Sequence, residues 1–236
     1  MGIITDKIQE GFVIPSKFES ADLLFDILTT ASPPKNIIHK DFNPVIDQGQ
    51  TSTCVAQTLV AIKFWQENRE FGKKPINKEF SPAFIYNQRS NAPQDGMMIK
   101  DALDILLVNG VCYKSTFNKL NQSIPKKAYE EAINNRIRGY ARITELSALK
   151  KALFCYGPVL GVLPVFSNDD IFWKDNGQAS INHAITIIGY DDEKNILRVR
   201  NSWGIGWGDQ GYTDFPCTDF DKFIELWVLL DKGKSR

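Results

Sequence analysis

Residues 152–166 read ALFCYGPVLGVLPVF, and the periodicity of the chain changes inside this stretch. Before it, a helix capped at Thr144 runs to Tyr156 and is stopped by Gly157-Pro158, because glycine takes the left-handed position past a helix end and proline cannot continue one. After Pro158 the period becomes two: Val159–Phe166, Ala184–Tyr190, Ile196–Arg200 and Ile224–Leu230 read as strands. Upstream, Val55, Leu59 and Ile62 recur at helical spacing, with Ala56, Val60 and Phe64 on an adjoining stripe. That helix is apolar over most of its early surface, so it should be central, and it opens at Thr51-Ser52-Thr53-Cys54, a run of good N-cap residues. Lys100–Asn109, closed by Gly110, and Pro125–Asn134, opened by proline, read as two further helices. Helices in the first half and strands in the second indicate an α+β chain of two lobes rather than alternating βαβ units.

Composition limits what the chain does. Its 236 residues suit one two-lobed unit and can bury a sizeable core without staples. Hydrophobic residues make up 43% and charged residues 24%, which excludes wholesale disorder. Lys+Arg and Asp+Glu are both 28, which argues against a nucleic-acid wrapper or a polybasic membrane binder. No segment approaches the roughly eighteen apolar residues of a membrane span, and charges and Pro15 interrupt the first 25 residues where a signal peptide would need an apolar run. The four cysteines, Cys54, Cys112, Cys155 and Cys217, form neither a CxxC nor a cluster with His39 or His183, so no metal site is expected. Cys112 and Cys155 sit in apolar runs and read as small buried hydrophobes, while Cys217 is left undecided.

One constellation carries chemistry. A turn centred on Asp192 sets Ile188 opposite Ile196 and His183 opposite Asn201, an Asn that could orient the imidazole. A one-residue slip would break that pairing. Cys54 sits at a helix N-terminus, where unpaired N–H groups and the macrodipole favour an anion and lower a thiol pKa. Cys54, His183 and Asn201 thus supply nucleophile, base and orienter. The Cys54 backbone N–H and the Gln48 side-chain amide could form an oxyanion hole. Taken singly, each residue has an ordinary structural explanation. Together, His183 and Asn201 follow Cys54 by 129 and 147 residues, near the roughly 130–150 expected of one class of thiol hydrolase.

The segments Asp47-Gln48-Gly49…Cys54, Ile181-Asn182-His183-Ala184 and Asn201-Ser202-Trp203-Gly204-Ile205-Gly206-Trp207-Gly208-Asp209-Gln210-Gly211-Tyr212 resemble the three signatures of papain-like (family C1) cysteine peptidases. Ser81–Tyr86 and Asp95-Gly96…Asp101-Ala102-Leu103 resemble the family's left lobe, so the likeness covers roughly residue 37 to the end. It implies a papain-like two-lobed fold, helical on the left (about 45–140) and antiparallel β on the right (about 141–236), with the cleft between. It also implies a peptidase working through a Cys thioester without a cofactor, with Cys54 as nucleophile, His183 as base and acid, Asn201 as orienter and Gln48 in the oxyanion hole. Trp203 would shield the His–Asn bond, the Asn182 carbonyl would meet the substrate, and Asp95-Gly96 would edge the cleft with Gly96 pairing to peptide main chain. Ala184 and Met97 or Met98 would wall an uncharged specificity pocket.

The resemblance implies peptide or protein substrates, admits a proteinaceous inhibitor, and suggests a monomer needing neither nucleic acid nor membrane. Thr51 stands where the family usually has a cysteine and Val55 where it usually has tryptophan. Loss of the family's usual disulfides fits a reducing compartment, though the compartment itself stays open. A non-catalytic peptide-binding relative and a Cys–His acyltransferase remain alternatives. Residues 1–36 lie outside the likeness, yet Phe12, Val13, Ile14, Phe18, Leu23, Leu24, Phe25, Ile27 and Leu28 are too apolar for a solvated tail. They should pack on the body, either bracing the lobes or lying across the cleft, and end in a Pro33-Pro34 connector.

Overall fold

The computed structural model describes residues 13–19, 22–25, 32–69, 77–178 and 180–231. Phe12, Ile27 and Leu28 of the apolar extension fall outside these. The chain forms β1 (Val13–Ile14), β2 (Asn36–Ile38), α1 (Cys54–Arg69), α2 (Pro82–Tyr86), β3 (Met97–Met98), α3 (Ile99–Val108) and α4 (Lys126–Ala132). It continues through β4 (Gly139–Ile143), α5 (Leu146–Tyr156), β5 (Val159–Val165), β6 (Ile181–Asp191), β7 (Ile196–Arg200), β8 (Tyr212–Pro216) and β9 (Glu225–Leu230). This is an α+β architecture in two lobes. An antiparallel sheet runs β4-β9-β5-β6-β7-β8, and β2 continues the β5 edge of β6 in tandem.

Each face of the sheet carries a core. Val162 and Ala184 pack with α1, α2 and α3 on one side, while Leu163, Ile185 and Val199 pack with α5 on the other. α1 is buried on nearly all sides, as its apolar stripes require, and even Lys63 is buried. A buried ammonium survives only when paired, and Lys63 pairs with Glu67 at 2.6 Å and with Asp231 near the end of the described chain.

α5 begins at Leu146, after Glu145 rather than Thr144, and ends at Gly157. A side chain there is excluded twice: φ is +94°, and a Cβ would lie 2.1 Å from the Trp65 ring. Cys155, expected to be buried, is exposed. The buried positions of α5 are Ala148, Leu149, Ala152 and Leu153, and Cys155 lies off that stripe although it sits in an apolar run.

The expected hairpin register is corrected. The turn lies beyond Asp192, so Asp191 faces Ile196 and Gly189 faces Arg198, and a one-residue bulge between Ile187 and Gly189 then leaves Ile187 facing Val199 and Thr186 facing Arg200. The bulge falls beside a required glycine: β2 crosses so close that a Cβ on Gly189 would lie 1.9 Å from the Ile37 carbonyl oxygen. His183 therefore does not stand opposite Asn201. It pairs with Leu163 of β5.

The described part of the N-terminal extension crosses from one lobe to the other. β1 pairs in parallel with β3, Val13 beside Met97. Ser16 N–H then donates to the buried Glu225 carboxylate at 2.9 Å, and Lys100 pairs with Glu19 and Asp22. Arg142 also holds Asp22. Leu24 bridges to Arg142, and Phe25 is fully buried against Tyr156 in the second core. Burying one such ring stabilises by about 1.5–3 kcal/mol.

Candidate active site

The Asp47–Thr53 turn delivers Cys54 to the first position of α1 by short-range bonds. Gly49 N–H donates to Asp47 Oδ1 at 2.8 Å, the Thr51 hydroxyl donates to the Gln48 carbonyl at 2.6 Å, and Gln57 N–H starts the helix on the Thr53 carbonyl at 2.9 Å. Thr51, which stands where the family usually has cysteine, is thus a hydrogen-bonded turn residue. Cys54 is fully buried, its backbone at the positive end of a sixteen-residue helix.

Gln48 is 5% exposed. Its Nε2 donates to the Thr51 carbonyl at 2.8 Å and its Oε1 accepts from the Ser202 hydroxyl at 2.6 Å. Among the described residues the second N–H of the amide has no hydrogen-bond partner. This turn is tied to the opposite lobe by Gln48 N–H to Ser202 O (2.9 Å) and Gly204 N–H to Ile46 O (3.2 Å).

His183 and Asn201 meet although they are not directly paired. Their side chains share a face along the diagonal of the ladder, close enough for long side chains to touch. His183 Nε2 lies 2.7 Å from Asn201 Oδ1, and that oxygen also accepts Ser202 N–H at 2.8 Å. The Asn oxygen is therefore the acceptor and Nε2 carries the proton. In the neutral ring this leaves the lone pair on Nδ1, a buried atom with no hydrogen-bond partner.

The imidazole is completely buried. Burial pushes its pKa down to about 4, with the Asn201 bond opposing. Trp203 stacks on it at 4.7 Å between centroids, and Phe172 stands edge-on to it at 6.1 Å and to Trp203 at 5.4 Å. Trp207 closes the far side of Trp203 at 5.3 Å. Phe172 and Ser202 had no assigned role in the sequence reading. An apolar triplet, Ile171-Phe172-Trp173, between polar residues was the only signal for the first.

The remaining candidate residues lie around β1, β3 and β6. Met97 is fully buried beside Val13. The Asn182 side chain reaches the Val13 carbonyl at 3.5 Å. Gly96 has φ of +83° and its carbonyl accepts from Asn91 at 3.2 Å. Asp95 is exposed and accepts the Tyr86 hydroxyl at 3.4 Å. Ala184 faces Val162, which faces Glu225, so the three share one face of the sheet. Glu225 is itself buried, and that burial raises its pKa.

Comparison with known proteins gives a consistent answer. The family model described as papain family cysteine protease matches residues 37–219. Chicken (Gallus gallus) cathepsin K is 30% identical over 183 residues, covering 72% of this chain and 54% of its own length, so the chain spans about half of that relative. A peptidase C1-like protein of Acanthamoeba polyphaga mimivirus is 24% identical over 88% of this chain and 74% of its own length. Among solved structures, xylellain, a cysteine protease from Xylella fastidiosa, superposes with a TM-score of 0.83 at 22% identity, covering 98% of this chain and 99% of its own. A Carica candamarcensis cysteine protease solved with E-64 gives 0.64 at 19% identity, covering 84% and 99%. With the profile spanning most of its length, this chain belongs to the papain family of cysteine proteases.

Proposed function

We propose that the chain hydrolyses peptide bonds through a thioester on Cys54. The observation that carries this reading is the His183–Asn201 bond, which fixes the tautomer and leaves Nδ1 as the proton acceptor. Nδ1 takes the thiol proton, and the thiolate, favoured at the helix N-terminus, attacks the carbonyl carbon. The Cys54 N–H and the second Gln48 N–H stabilise the oxyanion. His183 returns the proton to the leaving amine, and a water activated by the same nitrogen then releases the acid and restores the thiol. Trp203 and Phe172 keep bulk water from competing for the His–Asn bond. A peptide-library digest with wild type and Cys54→Ala side by side tests this. Cuts that disappear in the variant support hydrolysis, whereas cross-linked or merely bound peptides overturn it.

Residues 13–19 act, in the same reading, as an arm that fills this cleft, with Phe25 as its anchor. Val13 lies on the Met97 edge and against Asn182, where a substrate strand would need to lie. Truncation through Glu19 removes the cleft portion but leaves Phe25 seated, and the expected result is a stable enzyme with higher turnover. Truncation through Thr30 also removes Phe25 and should lower the melting temperature. If the shorter truncation leaves turnover unchanged, the arm is only a brace.

A further inference from the structure

Residues 87–96 connect α2 to β3 without helix or strand, and they end on Gly96, the start of the edge that Val13 occupies. One buried cation organises them. Arg89 is 5% exposed. Its Nη1 donates to the Tyr86 carbonyl at 3.0 Å, its Nε to the Gln94 carbonyl at 3.0 Å and its Nη2 to the Pro93 carbonyl at 3.4 Å. The guanidinium also lies 3.9 Å from the centre of the Tyr86 ring, whose hydroxyl donates to Asp95. A buried cation ordinarily sits beside a carboxylate. Among the described residues, every hydrogen bond of this side chain ends instead on a main-chain carbonyl, so its planar fork gathers both ends of one loop. Asn91 does the same nearer the edge, its Nδ2 reaching the carbonyls of Gln94 at 3.5 Å, Asp95 at 3.4 Å and Gly96 at 3.2 Å. Ser90 N–H donates to Asp101 at 2.7 Å, which fixes the loop to the first turn of α3.

We infer that Arg89 is a positioning residue for the substrate-pairing edge at Gly96-Met97, and the inference rests on the peptidase reading. A peptide strand gains most from an edge that is already ordered, because otherwise the edge must be ordered on binding. Arg89 supplies that order from behind the edge and touches no substrate itself. Without the guanidinium, the Pro93 and Gln94 carbonyls turn to water, since both residues are exposed. The Tyr86 carbonyl keeps the Arg89 backbone N–H at 3.3 Å, so α2 stays closed while the loop beyond it loosens. Cys54, His183 and Asn201 stand on other elements and are spared. The loss should therefore fall on binding of extended peptides rather than on the chemical step.

The test uses the full chain as wild type, Cys54→Ala and Val13→Asp, and adds Arg89→Met, Arg89→Lys or Asn91→Ala to Val13→Asp. A carboxylate at buried Val13 lifts the arm from the edge, so that substrate binding is read without its competition. Turnover of a fluorogenic peptide with three residues upstream of the cut is measured beside the rate of Cys54 alkylation by iodoacetamide, which is too small to use the edge. Relative to Val13→Asp alone, Arg89→Met should raise KM about tenfold and leave kcat within about threefold, the split expected when binding common to ground and transition states is lost. The alkylation rate should stay the same. Asn91→Ala should raise KM by about threefold, and Arg89→Lys should recover only part of the loss, because an ammonium lacks the fork. An unchanged KM in a folded Arg89→Met chain, a lower kcat at constant KM, or slowed alkylation would overturn the inference. If Arg89→Met fails to fold by circular dichroism, Arg89→Lys and Asn91→Ala decide, and an unchanged KM in both overturns it. A wild type that cuts no faster than Cys54→Ala would instead overturn the peptidase reading, and this inference with it.

Discussion

The two banks of the cleft are built from different materials. On one, Gln48–Cys54 is a polar turn whose order comes from hydroxyl, amide and carbonyl groups within seven residues of chain. On the other, His183 and Asn201 come from separate positions along the sheet and are roofed by Trp203, Phe172 and Trp207. Both banks are buried, so dryness is not what separates them. The aromatic bank sets how readily a proton is held, because burial disfavours the imidazolium. In the proposed mechanism the polar bank holds the negative oxygen, through N–H groups that its turn orients. The proposed mechanism thereby draws its base and its oxyanion donors from different banks.

That division is open to attack. His183→Ala, tested on a peptide substrate with folding checked by circular dichroism, should lose essentially all turnover, about 10⁴-fold or more. Gln48→Ala should cost about 10²–10³ in kcat, with Cys54 alkylation little changed, since that bank does not hold the proton. Asn201→Ala should cost less, on the order of 10–10²-fold, because it removes orientation rather than the base. If Asn201→Ala matched His183→Ala with folding intact, the aromatic bank would not be a base plus an orienter.

The smallest effect is on stability. The folded imidazole titrates near pH 4 and an unfolded one near 6.5. Between these values the unfolded state binds more protons, so stability rises with pH through that window and falls on acidification. The slope is at most about 1.4 kcal/mol per pH unit from this group. His39, whose pKa burial also lowers, adds in the same direction. Melting curves from pH 7 to 4 should therefore show His183→Gln losing less stability than wild type. Equal losses would show that the aromatic bank does not hold the imidazole neutral.

Much of the apparatus was legible because its signals are local. α1, α3 and α5 announce themselves by apolar stripes and end signals, and β7 is found at the expected Ile196–Arg200. The elements that escaped lack such signals. α2 is five residues long, too short for a period, and β4 carries Arg142 in its interior. Met97–Met98 forms a strand only because the N-terminal segment lies beside it. The hairpin shows how an inference can reach the right contact by the wrong route. The turn sets the ladder three residues out from the expected register and the bulge takes one back, leaving a shift of two. A shift of two residues keeps side chains on the same face, so His183 and Asn201 still met. Cys155 was read from an apolar run when its helical phase would have placed it outside.

The seating of Phe25 has a consequence for measurement. A strand tethered about eleven residues from a buried anchor meets the cleft at an effective concentration on the order of millimolar, whatever the protein concentration. In the proposed arm, a two-residue ladder is then favoured by that concentration and not by its own affinity alone. Diluting the protein would not free the cleft, and every added substrate or inhibitor would compete with the tether first. Apparent affinities measured on the intact chain would be weaker than those of the cleft itself by the factor the tether imposes, and comparing the two gives that factor directly.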